Sequence, residues 1–327
     1  MITICVDAMG GDESPELVCE GITAALEADP ELCVLVAGDA AVVEPFCANN
    51  ARAKALVTTE VIDMADHPAD AVRAKRDSSI VRGCAAVRAG EADGFFSAGS
   101  TGAIFAAASL NVGRIRGIKR PAIASTLPGA SGHETLLLDL GANADCRPEM
   151  IVQFAQMGVA YARAFMGVPE PRVALLSNGT EETKGSEQAI AFHAALAESV
   201  PEFVGNCEGN DILAGTYDVI VCDGFTGNVA LKSLEGTAKF IVSRIKGATK
   251  SSLMAKVGAG LMIGALRSIA AELSGDEKGG AALLGLKAPV LIGHGSTSVD
   301  AIKNGTLATA AAVRGDLVGK IAEELAR

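Results

Sequence analysis

The sequence predicts an α/β fold, a largely parallel sheet covered by helices on both faces. Three observations predict it. Short apolar runs alternate with helical stretches almost throughout the 327 residues. The runs are apolar along their length, as in Leu-Cys-Val-Leu-Val-Ala at 32–37, which suits strands buried on both faces. Ala and Gly are abundant and Trp is absent, which favours close packing of helix on sheet.

The elements follow in order. Ile2–Val6 is a strand, and Pro15–Ala28 a helix with Leu17, Val18, Ile22 and Ala25 near helical spacing. Leu32–Ala37 is a strand, Ala41–Cys47 a helix and Leu56–Ile62 a short strand. Residues 66–79 are polar. Ile80–Ala89 is helical, Ala92–Phe96 is a strand and Ile104–Leu110 an Ala-rich helix. Pro121–Thr126 and Thr135–Asp139 are strands, and Met150–Phe165 is a helix. Val173–Leu176 is a strand, Thr183–Ala197 a helix, Phe203–Asn210 a short strand with its exit, and Val219–Cys222 a strand. Phe225–Lys246 and Ser252–Leu273 read as two helices with no strand between them, a projecting helical hairpin over 225–273. Val290–Ile292 is the last strand, and Ser298–Ala326 a closing helix with a break near Asn304-Gly305. No repeat or Pro-rich linker marks a boundary, so residues 1–327 are expected to form one domain.

Gly-rich polar turns mark the ends of five strands. The fullest is Ser97, Gly99, Ser100, Thr101 and Gly102, between a strand and a helix. Unpaired first-turn N–H groups, the helix dipole and nearby hydroxyls suit such a turn to an anion. Taken alone, the turn reads first as a capped tight turn. Its companions favour a site: Asp7 with Gly10 and Gly11; Ser177–Thr180; Asp223–Asn228; and Gly293–Ser298. Asn143 ends a further polar exit. In a parallel sheet such exits share one edge, where ligands bind, so they are expected to form one composite site.

The net charge is −11, yet residues 94–133 and 236–271 carry ten of the 28 basic residues and none of the 39 acids. An anionic partner is expected at those runs, against the alternative of solvated helix faces. No apolar run reaches the ~18 residues of a membrane span. The chain opens on a strand without a basic, apolar leader, and a cytoplasmic location is expected. None of the eight cysteines forms a CxxC pair. Cys146 and Cys207, in polar loops, rank low as nucleophiles for lack of a His partner motif.

The motifs Val6–Asp12, Lys75–Ser79, Ser97–Ala103, Arg120–Pro128, Leu138–Asn143, Asn178–Gly185, Val204–Asn210, Cys222–Asn228 and Leu284–Gly295 occur in order along the whole chain. With them the sequence resembles the PlsX family of phosphate acyltransferases. That resemblance implies a three-layer α/β/α sandwich related to isocitrate/isopropylmalate dehydrogenase. It implies transfer of a fatty acyl group from acyl carrier protein to inorganic phosphate, giving acyl phosphate for glycerophospholipid synthesis. It also implies a homodimer in peripheral contact with an anionic membrane. No cofactor, metal or nucleic acid is expected. Ser100 stands where the family usually has Asn.

The chemistry fits. Phosphate is itself the nucleophile, so neither a GxSxG elbow nor a Cys/His pair is needed. The Ser97–Gly102 turn is expected to hold phosphate. Lys184 is expected to open a helix and add a charge, Asn228 to donate to the carbonyl oxygen, and His294 to polarise the carbonyl or protonate the thiolate. Each also has a plain structural reading: a surface lysine, a helix cap and a turn histidine. Two rivals are a phosphate acetyltransferase-like enzyme using acyl-CoA and a non-enzymatic membrane scaffold. A nicotinamide dehydrogenase is disfavoured, since no GxGxxG follows the first strand.

Overall fold

In a computed structural model, residues 1–248, 262, 264, 279–295 and 297–326 are described. In chain order the elements are β1 (Ile2–Asp7), α1 (Pro15–Ala28), β2 (Leu32–Gly38), α2 (Ala40–Ala48), β3 (Ala53–Val57), α3 (Pro68–Ala74), α4 (Ser79–Ala89), β4 (Gly94–Ser97) and α5 (Thr101–Asn111). Then come β5 (Ala122–Pro128), β6 (Glu134–Leu138), α6 (Pro148–Phe165), β7 (Val173–Leu176), α7 (Glu187–Ser199), β8 (Phe203–Cys207) and β9 (Val219–Val221). The last are α8 (Gly224–Ala248), β10 (Ala281–Leu284), β11 (Val290–Ile292), α9 (Val299–Arg314) and α10 (Leu317–Leu325).

All the described strands join one sheet, in the order β3-β2-β1-β4-β11-β10-β5-β6-β9-β7-β8. Most pairings are parallel, but β10 runs against both neighbours and β5 runs against β6. The sheet therefore has two parallel blocks of opposite direction. One holds β1 to β4 with β11; the other holds β6 to β9. Alternate strand residues serve two cores. Ile4 and Val6 pack in one with helix α1, while Cys5 packs in the other with Ile80 of α4. Apolar side chains on both faces of the central strands explain why helices cover both sides.

Register explains how opposed blocks share a site. Val6, Phe96, Leu291, Ala282, Ala124, Leu138, Val221 and Leu175 are successive partners in one row across the sheet. Each strand of either block reaches its carboxyl end within two residues of that row. The expectation of exits along one edge is corrected accordingly. Two sets of carboxyl ends meet at one level from opposite directions.

Other boundaries also shift. The third strand is 53–57, not 56–62, because Ala53 is the position that packs inward on β2. Strand β10 was not expected from its Ala-rich sequence. Helix α7 begins at Glu187, capped by Ser186 Oγ on Ala189 N at 3.2 Å. Gly185 has φ of +107°, so Lys184 lies in the preceding loop and does not open the helix. The closing helix runs unbroken past Asn304-Gly305 and breaks at Gly315-Asp316, where Asp316 has φ of +50° and caps α10. Of the expected helical hairpin, the first arm is α8; the second arm lies outside the described residues apart from 262 and 264. Among the described residues, no helix is long and apolar enough to cross a membrane.

Candidate functional site

The β1, β4 and β11 exits are tied together by short backbone contacts. Ser97 Oγ donates to Asp7 Oδ2 at 2.7 Å and accepts from Gly99 N at 3.0 Å. Met9 N donates to Asp7 Oδ1 at 2.9 Å, and Asp12 N to the Gly295 carbonyl at 2.9 Å. Gly10 lies so close that a methyl there would meet Asp7 and lie 2.9 Å from Gly99 N. Gly11, at φ of +107°, lets the loop pass beneath the Gly295 carbonyl. Asp7 and Ser97 are buried. Burial pushes the Asp7 carboxyl up, against hydrogen bonds from Ser79, Ser97 and the backbone of Met9 and Gly10. Asp7 and Ser97 thus spend their polar atoms on holding the turn.

Of the turn, Gly99 and Thr101 line the site, and Ser100 between them is buried. Ser100 is the N-cap residue of α5, and its carbonyl accepts from Ile104 N at 2.9 Å. Its hydroxyl makes no capping bond. The first-turn N–H groups of α5 have no intrahelical partner, which leaves an anion-attracting end. Pro68 of α3 closes on Gly102, where an added Cβ would lie 2.7 Å from its ring.

The β6 and β9 exits form a second cluster around Asp139, a residue not singled out from the sequence. Its carboxylate accepts from Ile123 N at 2.9 Å, Ala142 N at 3.1 Å, Asn143 N at 2.7 Å and Asn143 Nδ2 at 2.9 Å. Burial pushes this carboxyl up as well, opposed by those donors. Asn143 is itself buried, and its Oδ1 accepts from Arg120 Nε at 2.8 Å. Asp223, not Asn228, caps α8: it accepts from Thr226 N and Thr226 Oγ1, both at 2.8 Å. Asn228 lies one turn further on, and its Nδ2 donates to the Leu140 carbonyl at 3.1 Å. An Asp that gathers backbone donors reads in sequence as one more polar residue after a strand, which is why Asp139 carried no separate signal.

The first turns of α8 bring the two clusters together. A cleft of 320 Å³ is lined by Gly99 and Thr101 from one block, Asn228 and Leu231 from α8, and His294 and Gly295 after β11. Met64 stands at its mouth on a braced loop. Lys75 Nζ donates to the Val61 carbonyl at 2.8 Å and to Asp66 at 2.6 Å, and Asp77 accepts from Thr59 Oγ1 at 2.7 Å. The Lys75–Ser79 motif is thereby accounted for as the brace of residues 59–66 and, through Ser79, as support for Asp7.

Lys184 is not in that cleft. Its side chain is half exposed, 4.0 Å from Glu181. The loop that carries it borders a separate cavity of 370 Å³ lined by Ser177, Asn178, Ser186, Asp223 and Thr226. Cys146 and Cys207 are buried, and desolvation pushes both thiols up to about 12. They are protonated at neutral pH, which argues against a thiolate nucleophile. Among the described residues, no cluster of His, Cys, Asp or Glu could hold a metal ion.

A family model described as "Fatty acid synthesis protein" matches residues 2–319. The chain is 47% identical over 306 residues to a phosphate acyltransferase of Levilactobacillus brevis, covering 92% of this chain and 89% of that protein. It is 43% identical over 326 residues to a phosphate acyltransferase of Geobacillus thermodenitrificans, covering 100% and 99%. Among solved structures it is similar to a phosphotransacetylase from Streptococcus pyogenes, at a TM-score of 0.60, 17% identity and coverage of 96% and 94%. A branched-chain phosphotransacylase from Enterococcus faecalis gives a TM-score of 0.60 at 15% identity, covering 96% and 99%. At such identity the structures speak to the fold.

Proposed function

The chain belongs to the PlsX family of phosphate acyltransferases, and from that we propose how its cleft carries out acyl transfer to phosphate. The enzyme transfers a fatty acyl group to inorganic phosphate for phospholipid synthesis, with acyl carrier protein as the donor typical of the family. The observation that carries the site assignment is the meeting of the α5 N-terminus, Asn228 and His294 around one cleft.

Phosphate binds at the free donors of α5: the hydroxyls of Ser100 and Thr101 and the first-turn N–H groups to Gly102. One phosphate oxygen attacks the thioester carbon. Asn228 donates its remaining amide hydrogen to the developing oxyanion. The C–S bond breaks, the thiolate leaves, and His294 supplies the proton it takes up. Asp7, Gly10, Gly11 and Ser97 hold the turn, and Asn143 and Asp223 hold the start of α8. Lys184 adds positive charge from the β7 exit, although its loop borders the neighbouring cavity. Residues 1–327 act as one domain.

The test is phosphate-dependent release of carrier thiol with equimolar acyl phosphate, trapped as hydroxamate. Acyl carrier protein and acyl-CoA thioesters are compared as donors. No phosphate dependence would sink the reading, and equal use of acyl-CoA would shift it to the acetyltransferase type. Lys184→Ala, Asn228→Ala and His294→Ala are each expected to lower kcat/KM at least tenfold. Near-normal turnover removes that residue from the mechanism.

Membrane and dimer contacts are proposed at α8, whose Phe240 and Ile241 are exposed between Lys239 and Arg244. Ile241→Glu is expected to reduce either flotation with anionic vesicles or dimer mass in solution. Loss of neither excludes this face.

A further inference from the structure

Beside the cleft a second, open groove of 630 Å³ runs along α5. The two share Thr101, Ile123 and Asn228, so they meet where the carbonyl chemistry is proposed. A thioester has two arms leaving its carbonyl carbon, and turning it over needs two channels that diverge from that point. The linings differ accordingly. The cleft offers Leu127, Leu140, Leu231 and Ile292 to an aliphatic chain. The groove is mixed, with Phe105, Ala106 and Ser109 along its floor and Arg73 and Arg120 as its charged residues. No acid lines it among the described residues.

Arg120 is pre-positioned. Its Nε is held by Asn143 Oδ1 at 2.8 Å and its guanidinium lies over the Phe105 ring, 5.8 Å from the centroid. Its terminal nitrogens carry no hydrogen bond among the described residues, which leaves a fork for an anion. Arg73 stands largely exposed at the rim, with a loose 3.9 Å contact to Asp70. Ser109 Oγ is buried without a partner among the described residues. It is a donor and acceptor on the groove floor.

Resting on the acyl-carrier reading above, we propose that this groove seats the pantetheine arm of the carrier-borne thioester. The thioester lies at Thr101 and Asn228, an amide of the arm meets Ser109, and the phosphodiester is received by Arg73 and Arg120. The acid-free run 94–133 then forms the wall against which an acidic carrier docks.

The experiment compares acyl carrier protein thioester with the acyl thioester of N-acetylcysteamine, which lacks the phosphodiester and the protein. The readout is the ratio of the two kcat/KM values for wild type, Arg73→Glu and Arg73→Lys. Arg73→Glu should lower the ratio about tenfold, through KM for the carrier substrate, and Arg73→Lys should restore most of it. An unchanged ratio in Arg73→Glu overturns the proposal while leaving the acyl-transfer reading intact. So does a lost affinity for anionic vesicles with an unchanged ratio, which assigns Arg73 to the membrane. If wild type turns over only the truncated thioester, the acyl-carrier reading fails and this inference falls with it.

Discussion

A methyl group at Gly10 would meet the Asp7 carboxylate and crowd Gly99 N and Ser97 Oγ. Gly10→Ala is therefore expected to lower stability by about 1–3 kcal/mol in urea unfolding, and kcat/KM more than tenfold. Its neighbour gives a pH test. Burial raises the Asp7 pKa, so the folded protein holds that proton more tightly than the unfolded chain, where Asp titrates near ~3.9. Asp7's contribution is most favourable below that value and is lost as pH rises through the folded pKa. The stability of wild type relative to Asp7→Asn should fall as pH rises above about 4. A constant or widening gap would contradict this. Asp7, Gly10 and Gly11 were legible in the sequence because glycines beside an acid after a strand announce a tight turn. The commitment of Ser97's hydroxyl to Asp7 was not, since the two are 90 positions apart and are joined only by the pairing of β1 with β4.

Gly305 shows how a helix can be misread. In the sequence, Asn304-Gly305 looks like a break. In the structure α9 continues through it, and the space of the missing side chain is filled by the Phe96 ring of β4. The glycine is a packing notch that lets helix and strand approach closely. Gly305→Ala should keep the helical circular dichroism and lose about 1–3 kcal/mol of stability. The real break is at Asp316, whose side chain accepts from Gly319 N at 3.1 Å. Asp316→Ala should cost about 1 kcal/mol in the same assay, by loss of the cap. Strand β10 hid for the reverse reason. Ala281–Leu284 has little strand preference of its own, and it is extended because β11 and β5 hold it from either side. Strands with long apolar runs, such as β2, needed no such help and were legible.

Across the whole molecule, alternation of strand and helix announced the α/β class, but not the reversal of direction between blocks. That reversal depends on the β5–β6 hairpin, whose short polar link was visible while its place at the centre of the sheet was not. The outer part of the second block is fastened by Arg163 of α6, which bonds Glu202 at 2.6 Å and Glu324 of α10 at 2.7 Å. Both acids are mostly buried. Arg163→Met would remove the cation that both carboxylates share, and a loss of about 2–4 kcal/mol is expected in thermal unfolding at neutral pH. A loss under 0.5 kcal/mol would mean that water already screens the cluster.

The strand order also sets a schedule for synthesis. Strand β11 pairs with β4 in the middle of the sheet, yet Val290 follows Ser97 by nearly 200 residues. At about 5–20 residues per second, a ribosome delivers the N-terminal strands on the order of 10–40 s before the strand that completes them. Until then β4 has an open apolar edge, the kind that invites association with other chains. The newborn polypeptide must keep that edge covered, and the loops after β1 and β4 meet their last partners only when residues 290–295 have been made.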